Sequence, residues 1–262
     1  MKGGDSRVYG KLSERLRAGG VLYGTFVETG HPVVVDVAGN AGMDFVVVDL
    51  EHGMITLDEV ENMVRAADAC GIEVVVRVPG VDESLIGRLL DAGAGGVQVP
   101  RVSTKGETEA AVATTRYAPA GRRGYFPLSR AARFGGADKN EHIARSNAGC
   151  LAVVQIEGVE GARNVAEIMT VPGLDVLFIG PYDLSMSMGF PGQVQHPQVV
   201  QAMSDVVARA RSSRVAVGIF ADTPEAARKW LDQGVRYMTV GIDTDLLGGA
   251  YRHILSELGV RS

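Results

Sequence analysis

With 262 residues, 46% of them hydrophobic, and a formal net charge of −5, the chain can bury a sizeable core. It lacks the clustered positive charge that nucleic-acid binding requires. No apolar run approaches the roughly 20 residues of a membrane span, and the opening Met1-Lys-Gly-Gly-Asp-Ser6 has no apolar segment of a secretory signal. Cys70 and Cys150 lie far apart in apolar settings without metal-ligand spacing, and read as reduced core residues of a cytoplasmic protein.

In chain order, residues 11–18 read as a short helix covering the bottom of the fold. Short apolar runs then recur near 22–28, 45–49, 73–78, 96–99, 151–156, 175–179, 215–219 and 236–240. They are β-branched and nearly continuous, as in Val46-Val-Val48 and Val74-Val-Val76. Strands of a parallel sheet covered on both faces look like this. Amphipathic helices lie between them. From Leu57 to Ala69, Val60, Val64 and Ala67 share one face, Glu61, Arg65 and Asp68 the other; Thr56 with Glu59 forms a capping box and Gly71 a C-terminal cap. The helix from Thr223 to Asp232 repeats the scheme: Thr223 or Asp222 caps, Pro224 opens and Gly234 closes. Tyr117 to Asn147, rich in Gly and Arg, reads as an irregular stretch with a functional or interface role. About eight β/α units with right-handed crossovers imply an α/β fold, a (β/α)8 TIM barrel with an N-terminal capping helix. Residues 1–262 form one domain in this reading; an open doubly wound sheet is the alternative.

In a barrel the chemistry lies where strands end. Glu157 and Asp183 follow successive apolar runs and would be neighbours on the rim. Converging carboxylates repel unless one is protonated or a cation sits between them, and oxygen ligands suit Mg²⁺ or Mn²⁺. Helix capping is the other reading of both. Arg77, ending its strand, suits an anion or developing negative charge, or a salt bridge to Asp49. Asp49 can orient the imidazole of His52, a candidate general base; Glu51 is assigned to solvent or an interface. The backbone at Gly180-Pro181 opens a helix that could hold a carboxylate. Phe26 and Phe220 would close an apolar side of the pocket. Gln98 and Gln155 also stand at strand ends, while His31, His142 and His196 carry no supporting pattern.

The strings Asp49-Leu-Glu-His52, Arg77-Val-Pro79, Val97-Gln-Val-Pro100, Gln155-Ile-Glu157 and Phe178-Ile-Gly-Pro-Tyr-Asp-Leu-Ser185 resemble, in order and spacing, the HpcH/HpaI aldolase family. Arg116–Gly124, Ser129–Phe134 and Val240-Gly-Ile-Asp243 extend the resemblance from about residue 10 to 258. It implies a metal-dependent, class II aldolase that handles pyruvate as its enolate and cleaves or forms 4-hydroxy-2-oxoacids with an aldehyde. Oxaloacetate decarboxylation is implied as a side activity. By position, Glu157 and Asp183 match the ligands of a divalent metal (Mg²⁺, Mn²⁺ or Co²⁺). Arg77 matches the residue stabilising the enolate. His52 with Asp49 matches the dyad that works with metal-bound water in proton transfer, and Gln155 and Gly180-Pro181 match contacts to pyruvate. Homo-hexamers with exchanged C-terminal helices are implied as well. The chain departs from the family where some members carry Trp in place of Phe26 and in Arg123–Leu128, both where the aldehyde would sit. Related enzymes couple decarboxylation to carbon–carbon bond formation or cleave acyl-CoA, for which Arg122, Arg123, Arg130 and Arg133 would offer a basic surface. A non-catalytic barrel that senses 2-oxoacids is the remaining alternative.

Overall fold

Eight strands, each parallel to the next, close on themselves in sequence order in a computed structural model that describes residues 9–260; Met1–Ser6, read above for a signal segment, lies outside them. The order is α1 (Lys11–Arg17), β1 (Leu22–Val27), α2 (Pro32–Asn40), β2 (Phe45–Asp49), α3 (Leu57–Cys70), β3 (Glu73–Arg77), α4 (Glu83–Ala92), β4 (Gly96–Val99), α5 (Lys105–Thr115) and α6 (Lys139–Gly149), continuing with β5 (Leu151–Ile156), α7 (Val159–Arg163), α8 (Val165–Ile168), β6 (Val176–Ile179), α9 (Pro181–Ser187), α10 (Pro197–Ala210), β7 (Ala216–Ala221), α11 (Pro224–Asp232), β8 (Tyr237–Ile242) and α12 (Asp243–Glu257). Pairing of β1 with β8 closes the ring, with a register shift between Gly24 and Phe26. The TIM barrel expected from the β/α count is therefore the fold, and the open sheet is not.

The strands sort their side chains by the two-residue period of extended chain. Phe45, Val47 and Val75 point into the barrel, where they meet Leu151, Val153, Val176, Phe178 and Tyr237. Val46, Val48, Val74 and Val76 point outward against the helices, with Val60, Val64, Ile86 and Leu89. Both faces are buried, which is why the runs are apolar without alternation. Inside, Phe45 stacks on Tyr237 at 4.4 Å between ring centroids. Gly24 makes room for this pair, since a Cβ there would lie 2.6 Å from the Phe45 ring.

The barrel bottom is plugged by α1, whose Leu12 and Leu16 join the inner cluster. Glu73 ties the plug down: its carboxylate accepts the Leu12 N–H at 2.9 Å and the Gly10 N–H at 3.1 Å. Burial pushes its pKa up to about 7, against the pull of those amides and of Lys11. The capping box of Thr56 and Glu59 and the left-handed Gly71 bound α3 as the sequence predicts. Thr223 caps α11 at its Ala226 N–H.

Residues 117–147 are not irregular throughout. A 3₁₀ turn forms at Arg133–Gly135, and α6 begins at Lys139, with Asp138 accepting the N–H groups of Asn140 and Glu141. Hydrophobic periodicity misses α6 because it buries His142, Ser146 and Gly149 rather than an apolar stripe. Among the described residues no helix is long and apolar enough to cross a membrane.

Candidate active site

At the C-terminal end of the barrel a cleft of about 630 Å³ is lined by Phe26, Glu28, His52, Arg77, Gln155 and Asp183, with Phe178, Gly180, Pro181, Tyr182, Phe220 and Ile242. Register puts Asp49 directly beside Arg77 on adjacent strands. The pair is bidentate, with Arg77 Nε donating to Asp49 Oδ1 at 2.8 Å and Nη2 to Oδ2 at 2.5 Å. Asp49 is fully buried. Arg77 also reaches Glu51 at 3.5 Å and lies 4.8 Å from the centre of the Phe26 ring. Burial opposes its charge, yet Asp49, Glu51 and Glu157 together raise its pKa.

That pairing changes two expectations. Asp49 does not hold the His52 imidazole. Its free capacity goes to the main chain, accepting the N–H groups of Glu51 at 2.9 Å and His52 at 3.4 Å. Arg77 occupies the rest of the carboxylate because the strand register brings its fork there first. The imidazole instead sits at the cleft's mouth, largely exposed, with Nε2 4.0 Å from Glu51 Oε2. Glu51 faces neither solvent nor an open interface: its side chain is only 10% exposed and lies between Arg77, Arg101 and His52.

Glu157 ends a relay of amides. Gln98 Nε2 donates to Gln155 Oε1 at 2.7 Å, and Gln155 Nε2 donates in turn to Glu157 Oε2. Gln155 is thus both a wall of the cleft and the orienting partner of the acid. Burial raises the Glu157 pKa; the Gln155 amide opposes this, and the charges of Asp183 and Glu51 add to it. Gly180 leaves room here: a Cβ would stand 3.1 Å from both Gln155 Nε2 and Glu157 Oε2 and would press on this contact.

Asp183 lies in the first turn of α9, after Gly180 at the N-cap and Pro181 at the first helical position. Of the backbone donors expected at this helix start, neither Gly180 nor Pro181 supplies one. Gly180 spends its N–H on the Ile156 carbonyl at 3.0 Å, and Pro181 has none. The free amides of this turn fall to Tyr182 and Asp183. Phe26 and Phe220 do share the apolar wall, at 5.9 Å between centroids. Among the described residues no group of three or more His, Cys, Asp or Glu side chains converges as a metal site would. Glu157 and Asp183 remain a pair.

Two acids at or beside the cleft escaped the sequence reading as site residues. Glu28 stands two positions beyond Phe26, just past the end of β1, and lines the cleft with it. Glu51 was visible beside His52 but was aimed outward for want of a known partner. Of the four arginines expected to offer a basic surface for a phosphate-bearing substrate, three are in ion pairs: Arg122 with Glu83 at 2.7 Å, Arg123 with Asp91 at 2.8 Å and Arg130 with Asp68 at 2.5 Å.

A TIM barrel with an arginine and a carboxylate pair converging at its C-terminal end defines an enzyme that manages anionic charge. The chain belongs to the HpcH/HpaI aldolase/citrate lyase family, whose model matches residues 22–250, and it is a carbon–carbon lyase of the aldolase type. It is 34% identical over 245 residues to the hydroxypyruvate/pyruvate aldolase of Pseudomonas aeruginosa, covering 93% of this chain and 91% of that one. It is 35% identical over 250 residues to the 4-hydroxy-2-oxo-heptane-1,7-dioate aldolase of Salmonella typhimurium, covering 95% and 94%. A crystal structure of a family protein from Burkholderia cenocepacia superposes with a TM-score of 0.90 at 36% identity, covering 95% of this chain and 99% of that chain.

Proposed function

We propose that this cleft binds pyruvate as its enolate and makes or breaks the C3–C4 bond of a 4-hydroxy-2-oxoacid, with an aldehyde as the second substrate. The observation that carries this is Arg77, mostly buried, held by Asp49 on two hydrogen bonds and lining the same cleft as Asp183, with Glu157 close enough for its charge to act on the guanidinium. A fixed cation of this kind stabilises an oxyanion without reorganising during the reaction.

A divalent cation fits the residues present. Glu157 carries the repulsion of Asp183 and Glu51, and Gly180 keeps the space beside it open. Glu157 and Asp183 would hold Mg²⁺, Mn²⁺ or Co²⁺, which would supply charge neutralisation and orient the carboxylate and 2-oxo groups of the substrate. The Gln98–Gln155 relay presents Glu157 in one orientation. Arg77 stabilises the developing enolate oxygen. His52, at the cleft's mouth beside Glu51, takes the proton from the 4-hydroxyl group as the bond to the aldehyde carbon breaks, and returns it in the condensation direction. Oxaloacetate decarboxylation through the same enolate accompanies the aldolase reaction.

The reading extends to assembly. Residues 1–262 act as one domain, and the chain forms a homo-hexamer in which α12 packs on a neighbour. In support, Leu246, Leu247, Tyr251, Ile254 and Leu255 on α12 and Leu258 beyond it are between 42% and 72% exposed, an apolar stripe that an isolated chain leaves in water.

The test is exchange of the pyruvate methyl protons with deuterated water, followed by NMR. Exchange that stops with EDTA and returns with Mg²⁺ or Mn²⁺ is expected, along with no trapping by borohydride. Full exchange rates after complete chelation would remove the metal-dependent enolate.

A further inference from the structure

Glu28 is the acid of this rim with no assigned work. It follows directly on the end of β1, and with Phe26 it lines the cleft beside Phe178, Phe220 and Ile242. Its backbone is pinned. Asp243 accepts the Glu28 N–H at 2.9 Å, the Thr29 N–H at 3.1 Å and the Thr29 hydroxyl at 2.6 Å. The side chain therefore projects from a fixed loop.

Nearby acids are accounted for. Asp49 is taken by Arg77, Glu51 lies between Arg77 and Arg101, Glu157 accepts from Gln155, Asp243 holds the loop, and Asp222 accepts from Tyr182 at 2.7 Å. The half-buried Glu28 carboxylate has neither a hydrogen bond nor an ion pair among the described residues. Burial raises its pKa, and the charges of Asp49 and Asp243 add to the rise against Arg77 and His52. Such a group repels a second negative charge and is relieved by a hydrogen-bond donor. The cleft it lines also carries Phe26, Phe178, Phe220 and Ile242, an apolar wall suited to a short carbon chain.

We infer that Glu28 selects the second substrate: the aldehyde is an uncharged hydroxyaldehyde whose hydroxyl donates to the Glu28 carboxylate, and aldehydes bearing a carboxylate are rejected. This rests on the enolate reading above. Arg77 does not offset the rejection, because in that reading its charge is engaged by the enolate oxygen.

Glycolaldehyde and glyoxylate form a size-matched pair, one carrying a hydroxyl and the other a carboxylate. Condensation of each with saturating pyruvate gives a ratio of kcat/KM within a single protein preparation, so any unfolded fraction cancels. The wild type favours glycolaldehyde. Glu28→Gln shifts the ratio towards glyoxylate by about tenfold, the scale of a single charge repulsion at several ångströms in a partly buried site. Glu28→Lys shifts it further and serves if the neutral variant is ambiguous. A ratio that moves less than about twofold in both variants, or a wild type that prefers glyoxylate, overturns the assignment. Exchange of pyruvate methyl protons by the wild type, measured without aldehyde, separates the two claims. If exchange proceeds and the ratio stays put, Glu28 alone loses its role; if exchange is absent, the enolate reading falls and this inference with it.

Discussion

The two ends of this barrel each contain a buried glutamate, and they treat it differently. At the bottom, Glu73 sits under α1 and receives backbone N–H groups from Gly10 and Leu12. At the top, Glu157 receives one side-chain amide and faces the charges of Asp183 and Glu51. Burial raises both pKa values. At the bottom the surroundings are donors and apolar side chains, so the acid becomes a fastener for a helix. At the top the surroundings are further acids and one immobilised arginine, so charge is left for a ligand to settle. Barrels of this type place stability at the N-terminal face and chemistry at the C-terminal face, and the contrast follows that division.

The largest effect expected at the top is that of Arg77→Ala. Loss of one preorganised oxyanion partner lowers the exchange rate by about 10²–10³-fold. The variant also leaves Asp49 buried without its partner, which costs about 3–5 kcal/mol of stability. Single-turnover and exchange rates normalised to folded protein check the first number, and denaturant titration checks the second. A near-normal rate removes Arg77 from the reaction.

At the bottom, Leu16→Ala should do the reverse. Truncating this buried side chain costs about 2–5 kcal/mol in urea unfolding, while the exchange rate per folded molecule stays at the wild-type value. A selective loss of exchange in this variant would erase the division between the two ends.

The smallest effect is also the most specific to the bottom. Glu73 is protonated more readily in the folded chain, at about 7, than in the unfolded chain near 4.5. The protonated carboxyl therefore contributes stability that is fully present below 4.5 and lost as pH rises to 7. Thermal unfolding of the wild type and Glu73→Gln between pH 4.5 and 8 reads this out. The wild type should lose ground to the variant across that window and hold level above it; a difference independent of pH refutes the coupling.

How much of this was legible beforehand differs between parts of the molecule. The eight strands were readable because they are mostly buried on both faces and so write short apolar runs, β-branched and continuous in β2 and β3. The boundaries of α3 were readable because Thr56, Glu59 and Gly71 act locally, within a turn of the backbone. The helix α6 was not, since its buried face is polar and its order depends on what packs over it. In the cleft, the acids at strand ends and Arg77 stood out by position. The partner of each did not. Asp49 was matched to the nearby His52 in sequence, whereas the register of β2 on β3 gives it to Arg77, 28 residues on.

By itself, then, the order of residues determined the β/α alternation, the apolar strands, the local caps and the set of polar side chains delivered to one rim. These depend on spacing along the chain, through the two-residue period of strands and the geometry of a helical turn. Only the tertiary structure decided which of those side chains meet. It paired Asp49 with Arg77, turned Glu51 inward, spent the Gly180 amide on Ile156, and set Glu28 in the wall with no partner among the described residues. Hydrogen bonds and ion pairs form between neighbours in space, and in a closed barrel it is strand register and tilt, not distance along the chain, that make neighbours.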